Sequence, residues 1–195
     1  MHSHVLSRWS QRLAVLAALL AGMSPMKMQA QTTLGTQTLN LNAQPDGLLY
    51  GFPGSLTLTK AGSLFNQYTG SMTVQYKART TITTGTGSIT VKATTDFVCA
   101  SGGPCIATPP TTGDALKYTC TAATLGTNCT GTQTVSTGTA TSVISAIPAG
   151  SCTGGGAPCT TATPNTVTVN FSLTDDPKYK SGTFSATLTF TISAT

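Results

Sequence analysis

Thr183-Phe184-Ser185-Ala186-Thr187-Leu188-Thr189-Phe190-Thr191-Ile192-Ser193-Ala194 sets an apolar residue against a hydroxyl residue at every second position. A strand turns successive side chains to opposite faces, so a period of two marks a half-buried strand whose wet face carries Ser and Thr. Thr166 to Leu173 repeats the pattern with Val167, Val169, Phe171 and Leu173. Between the two runs lies Asp175-Asp176-Pro177-Lys178-Tyr179-Lys180-Ser181-Gly182, a polar connection rich in turn formers. Two such strands joined in this way predict an antiparallel pair.

Shorter runs precede them. Leu39 and Leu41 mark one strand, Leu56 and Leu58 a second, and Met72, Val74 and Tyr76 a third. Ile89, Val91 and Ala93 follow the Gly85-Thr86-Gly87 turn; Leu116, Tyr118 and Cys120 come next, then Val135 with Val143, Ile144 and Ile147. The total is about eight or nine strands, with no amphipathic helix. Composition agrees, because Thr suits the exposed face of a sheet while Glu and Lys, which favour helix, are absent or sparse. The pattern predicts an all-β chain folded as an immunoglobulin-like antiparallel β-sandwich, with a jelly roll as the alternative. Residues 31–195 are read as one domain, and the Gly- and Pro-rich region of about 99–165 as an elaborated set of loops.

Residues 1–30 read as a signal peptide outside that domain. Met1 to Arg12 is basic, with Arg8 and Arg12, and Leu13 to Met23 is an apolar run too short to span a bilayer. Cleavage after Ala30 removes both histidines, the only tryptophan and Met23, Met26 and Met28. Those three methionines would otherwise form a thioether set suited to Cu(I). The formal charge falls from +5 to +2, because seven basic residues then face five aspartates. No basic stripe remains to suggest nucleic acid, and no second apolar segment predicts membrane insertion.

Six cysteines follow the leader: Cys99, Cys105, Cys120, Cys129, Cys152 and Cys159. An even number behind a signal peptide reads as disulfides. Fifteen pairings are open, and the simplest joins neighbours into three short loops that staple loop tips. Cys99-Ala100-Ser101-Gly102-Gly103-Pro104-Cys105 and Cys152-Thr153-Gly154-Gly155-Gly156-Ala157-Pro158-Cys159 share a Gly-Gly-(x)-Pro-Cys element. Either an internal duplication or the shared demands of tight turns accounts for it. Without Cys-x-x-Cys spacing or a histidine co-ligand, neither a metal site nor a redox pair is expected.

Tyr179-Lys180-Ser181-Gly182-Thr183-Phe184 and the alternating run to Ile192 resemble the closing strand of several bacterial surface β-sandwiches. These are the spore coat protein U-like and chaperone–usher fimbrial subunits and the WxL-type domains. The likeness covers roughly the last 30 residues. The WxL tripeptide is missing, and the six-cysteine pattern departs from those families. The resemblance implies an extracellular structural or adhesive protein without an active site.

The residues support the same expectation. After the leader no His or Glu remains, which closes the Ser-His-Asp, Cys-His and glutamate acid–base schemes, so no catalytic residue, cofactor or metal ligand is expected. Asp175-Asp176 is the only adjacent acidic pair, and neighbours at a strand end point to opposite faces; it reads as a polar turn rather than a glycosidase pair. Tyr50, Phe52, Phe65 and Tyr68 form the densest aromatic group, either one end of the core or a ligand-contact surface for sugar rings. The lysines read as solvated strand edges. Gln37 to Ala43, a short alternating segment after a flexible stretch, could add as a strand to the edge of a neighbouring sandwich. Two functions follow: an exported structural or adhesive subunit, pilin-like, whose partner is itself or another surface subunit; or a secreted carbohydrate- or ligand-binding module whose partner is a glycan.

Overall fold

The computed structural model describes residues 38–80, 85–148 and 164–195. The chain divides into two units, Met1–Leu41 and Asn42–Thr195. In the first, only residues 38–41 are described; they are exposed and belong to no helix or strand. The leader, the expected cleavage point after Ala30 and the Cys152–Cys159 loop lie outside the described residues.

The second unit is a two-sheet antiparallel β-sandwich. Its strands are β1 (Asp46–Tyr50), β2 (Thr59–Ala61), β3 (Gln67–Arg79), β4 (Thr86–Thr95), β5 (Lys117–Thr121), β6 (Thr127–Asn128), β7 (Gln133–Thr134), β8 (Thr141–Pro148), β9 (Asn165–Thr174) and β10 (Thr187–Ala194). A single 3₁₀ turn, Cys99–Ser101, interrupts them. One sheet runs β1-β3-β9-β5-β7, with β2 also on β3; the other runs β10-β4-β8-β6. Alternation works as expected. β9 reads buried–half-buried along its whole length, with Val167, Val169, Phe171 and Leu173 turned inward. They meet Ile89, Val91 and Ala93 of β4 and Val143, Ile144 and Ile147 of β8 in one core, closed by Val74, Tyr76 and Tyr118. Burying side chains of this kind is worth about 1.5–3 kcal/mol each, which is why the pattern dictates the layers.

The tyrosines bring polar tips into that core and satisfy them. The Tyr76 hydroxyl donates to the Leu125 carbonyl, and the Tyr118 hydroxyl donates to the Ser142 carbonyl at 2.7 Å. Both bonds run from the first sheet to the segments bordering the second.

Four expectations need correction. β9 and β10 do not pair: β9 uses both its edges on β3 and β5, so the chain crosses to the other sheet and β10 pairs with β4. The connecting residues 175–186 are long enough for that crossing, unlike a tight hairpin. The last strand is also shorter than its alternation, because Phe184 leaves the ladder to pack on Gly103; a Cβ there would sit 2.1 Å from the Phe184 ring. Leu56 and Leu58 lie outside any strand, although both pack on the core, and β2 starts at Thr59. Residues 38–43 form no strand, and Leu39 and Leu41 are 89% and 88% exposed.

Two neighbour disulfides form, Cys99–Cys105 and Cys120–Cys129. The first staples a loop tip as expected. The second does more. Cys120 is in β5 of the first sheet, while Cys129 follows β6 of the second and donates its N–H to the Val143 carbonyl of β8 at 3.0 Å. A bridge spanning nine positions of sequence thus ties the two sheets together.

Candidate functional site

The first feature is an open seam. Among the described residues β10 is bonded to β4 alone, leaving its other edge with unpaired main chain. The inward side chains Leu188, Phe190 and Ile192 are only half-buried, whereas Ile89 and Val91 on the adjoining strand are fully buried. β1 supplies part of the cover. A Cβ at Gly47 would lie 3.0 Å from Ile192, and Phe52 packs on Phe190 with ring centroids 5.3 Å apart. The edge carries Thr187, Thr189, Thr191 and Ser193 on its wet face, without the lysine or proline that usually guards such an edge.

A second cluster gathers at the β2–β3 hairpin. Lys60 Nζ lies 2.8 Å from Asp175 Oδ2, and the Phe65 N–H donates to the same oxygen at 3.1 Å. The ion pair with Lys60, ahead of the hydrogen bonds from Tyr68 and Phe65, holds the Asp175 carboxyl below the usual range. Burial, then the neighbouring Asp175, pushes the Tyr68 phenol up. The Lys60 ammonium also sits 5.7 Å from the centroid of the Phe65 ring.

Asp176, the other member of the expected polar turn, points into a different network. It accepts from the Thr111 hydroxyl and from the Lys178 N–H at 2.8 Å, and it pairs with Asp114. Those donors lower the Asp176 carboxyl, Thr111 first. Burial, then the hydrogen bond with Asp176, raises the Asp114 carboxyl. Burial and these carboxylates push the Tyr179 phenol up to about 12. The polar turn does form, with the Asp176 carbonyl accepting from the Tyr179 N–H at 2.9 Å, and both aspartate side chains are buried and hold neighbouring loops.

Asp96 has a comparable task. Its carboxylate accepts from the N–H groups of Phe97 and Ile106 at 2.7 Å and of Ala107 at 2.9 Å, closing the loop around Cys99–Cys105. Asp96, Cys99 and Cys105 bring three ligand-type atoms within 4.8 Å, but the sulfurs are bonded to each other and have no thiolate to offer.

The four aromatic residues do not make one surface. Tyr50 closes β1 with the Lys77 ammonium 6.0 Å from its ring, Phe52 belongs to the seam, and Tyr68 is half-buried beside Asp175. Only Phe65 is strongly exposed, at 58%. Sequence reasoning missed Asp96, Asp114 and Thr111 as organising residues. A lone aspartate in a Gly- and Pro-rich loop signals a turn, and its partners lie far along the chain.

The arrangement defines a class: a disulfide-bonded all-β sandwich with an open edge at β10 and with Asp96, Asp114, Asp175 and Asp176 engaged in holding loops. The disulfides indicate a non-reducing compartment. No helix among the described residues is long and apolar enough to cross a membrane. Compared with protein-family models, curated proteins and solved structures, the chain matches none of them.

Proposed function

We propose that this chain is an exported, non-catalytic structural or adhesive subunit of the cell surface, pilin-like in that copies join by strand addition. The observation that carries the reading is the seam along β10: a free eight-residue edge over half-buried Leu188, Phe190 and Ile192. Residues 38–43 offer the complement, a segment in no helix or strand with Leu39, Leu41 and Ala43 alternating with polar residues. Added to the edge of another copy, its main chain would complete the ladder and its leucines would leave water. The C-terminal likeness to fimbrial and spore coat U-like subunits, the leader and the disulfides support an extracellular, cell-surface or periplasmic setting.

The test is the assembly state of the oxidised protein after leader removal. Native electrophoresis is expected to give a ladder of multimers. Leu39→Asp combined with Leu41→Asp should collapse it to monomer while circular dichroism keeps the sheet signal. A parent protein that stays monomeric at every concentration would refute the reading.

A further inference from the structure

We propose that the wet face of the six-stranded sheet, together with the tip of the β2–β3 hairpin, binds a neutral polysaccharide. This surface is distinct from the β10 edge, and the proposal does not depend on strand addition.

Four strands shape the face into a trough of about 580 Å³. Thr59 of β2, Gln67, Thr69 and Ser71 of β3, Asn170 and Ser172 of β9 and Thr119 of β5 line it, and none of its described lining residues is charged. The register sets the pattern: Thr59 lies opposite Thr69, and Thr69 and Ser71 lie opposite Ser172 and Asn170. The result is a grid of hydroxyl and amide groups, spaced about 4.8 Å across the strands and about 6.8 Å along them. It is held in place before any ligand arrives. The Ser71 hydroxyl donates to Asn170 Oδ1 at 2.9 Å, and Asn170 Nδ2 donates to the Thr121 hydroxyl at 3.4 Å. Threonine is stiff about its first side-chain torsion, so little rotamer freedom remains to be lost on binding. Each hydroxyl and amide keeps further donor or acceptor capacity.

Chemistry then selects the ligand class. Lys117 stands opposite Ser172 at the border of the trough, but among the described lining residues an anion would find no cation and a cation no carboxylate, so an ionic ligand bound within it would lose hydration without a matched partner. A peptide strand needs free main chain, whereas these strands are already paired and present side chains. Neutral polyols match uncharged groups that both donate and accept.

The hairpin adds the second half of a sugar site. Phe65 has φ +56°, a left-handed backbone that bulky residues seldom adopt, and its ring is 58% exposed. The strain is held by Asp175 on its N–H and by the Lys60 ammonium beside its ring. Leu64, next to it, is 74% exposed. Strain used to display an aromatic ring in water is a sign of function. The same hairpin supplies Thr59, Gln67 and Thr69 to the trough and carries Leu64 and Phe65 at its exposed tip. A sugar chain, with polar ring edges and apolar ring faces, has that same division.

Affinity electrophoresis of the oxidised chain through gels containing hydroxyethylcellulose, laminarin or galactomannan tests the proposal. Retardation by at least one of them is expected, equal at low and high salt. Phe65→Ala and Asn170→Asp should each weaken it about tenfold, the value of one good contact, with unfolding midpoints at or above that of the parent for Phe65→Ala. The double variant Leu39→Asp/Leu41→Asp should be retarded as the parent is, which separates this result from failure of the assembly reading. The proposal is overturned if none of the three polymers retards the protein, if retardation disappears in salt, or if it survives both trough and tip substitutions.

Discussion

Asp114 and Asp176 are neighbouring buried carboxyl groups that the fold shifts in opposite directions, Asp114 up and Asp176 down. Asp114 is raised in the folded state, so its contribution to stability is complete below the ordinary aspartate value of about 3.9 and is lost as pH rises through the raised folded value. Asp175 and Asp176 are lowered, so their contributions are present above the ordinary value and are lost as pH falls through the folded values. Asp114→Asn keeps a donor towards Asp176 but removes the ionisation. Urea midpoints in the parent should therefore rise with pH up to about 3.9 and fall above it, and the variant should keep the rise and lose the fall. An unchanged slope would mean that another group is responsible. At this scale the sequence was informative about what residues 31–195 lack, namely His and Glu, and nearly silent about what the aspartates do. Nothing in Asp114 or Asp176 alone reveals a partner more than sixty positions away, as the Thr111–Asp176 separation of 65 illustrates.

Among the elements, the two described disulfides close loops of similar size and do different work. Cys99–Cys105 secures a turn already organised by Asp96, whereas Cys120–Cys129 joins β5 to the sheet that contains β6 and β8. Chain entropy assigns either bridge about 2–3 kcal/mol. Replacing Cys120 and Cys129 by Ala should remove at least that much in denaturant unfolding, because their buried side chains also leave the core. Replacing Cys99 and Cys105 should remove less, since the Asp96 clamp persists. Equal losses would argue against a special role for the inter-sheet bridge. The strands themselves were legible wherever one face is buried and the other wet: β3, β4, β5 and β9 follow their alternation, whereas β8 buries Val143 and Ile144 side by side across an irregular register with β4. Legibility failed where a period of two continued without a ladder, as at Phe184 and Ala186, and where neighbours in sequence were taken for neighbours in a sheet, as with β9 and β10. Burial of alternate residues identifies a strand but does not name its partner.

For the molecule as a whole, fold class followed from the sequence, and the location of a binding surface did not. The trough needs β2, β3 and β9 side by side, and pairings between distant segments leave no local trace. Those pairings govern time as well as shape. Ser71 and Asn170 are 99 residues apart and Thr94 and Thr189 are 95 apart, yet each couple sits on neighbouring strands. Loops of that length close late, which places folding in the range of milliseconds to seconds rather than microseconds. Refolding from urea with the bridges intact, followed by stopped-flow tyrosine fluorescence, should show a major phase in that range; a microsecond phase carrying the full amplitude would contradict it. Until β9 and β10 arrive, β3 and β4 stand with open flanks, oily on one side and ready to stick to any extended polypeptide. A nascent copy is thus most vulnerable to clumping and to proteases in the interval between its first strands and its last.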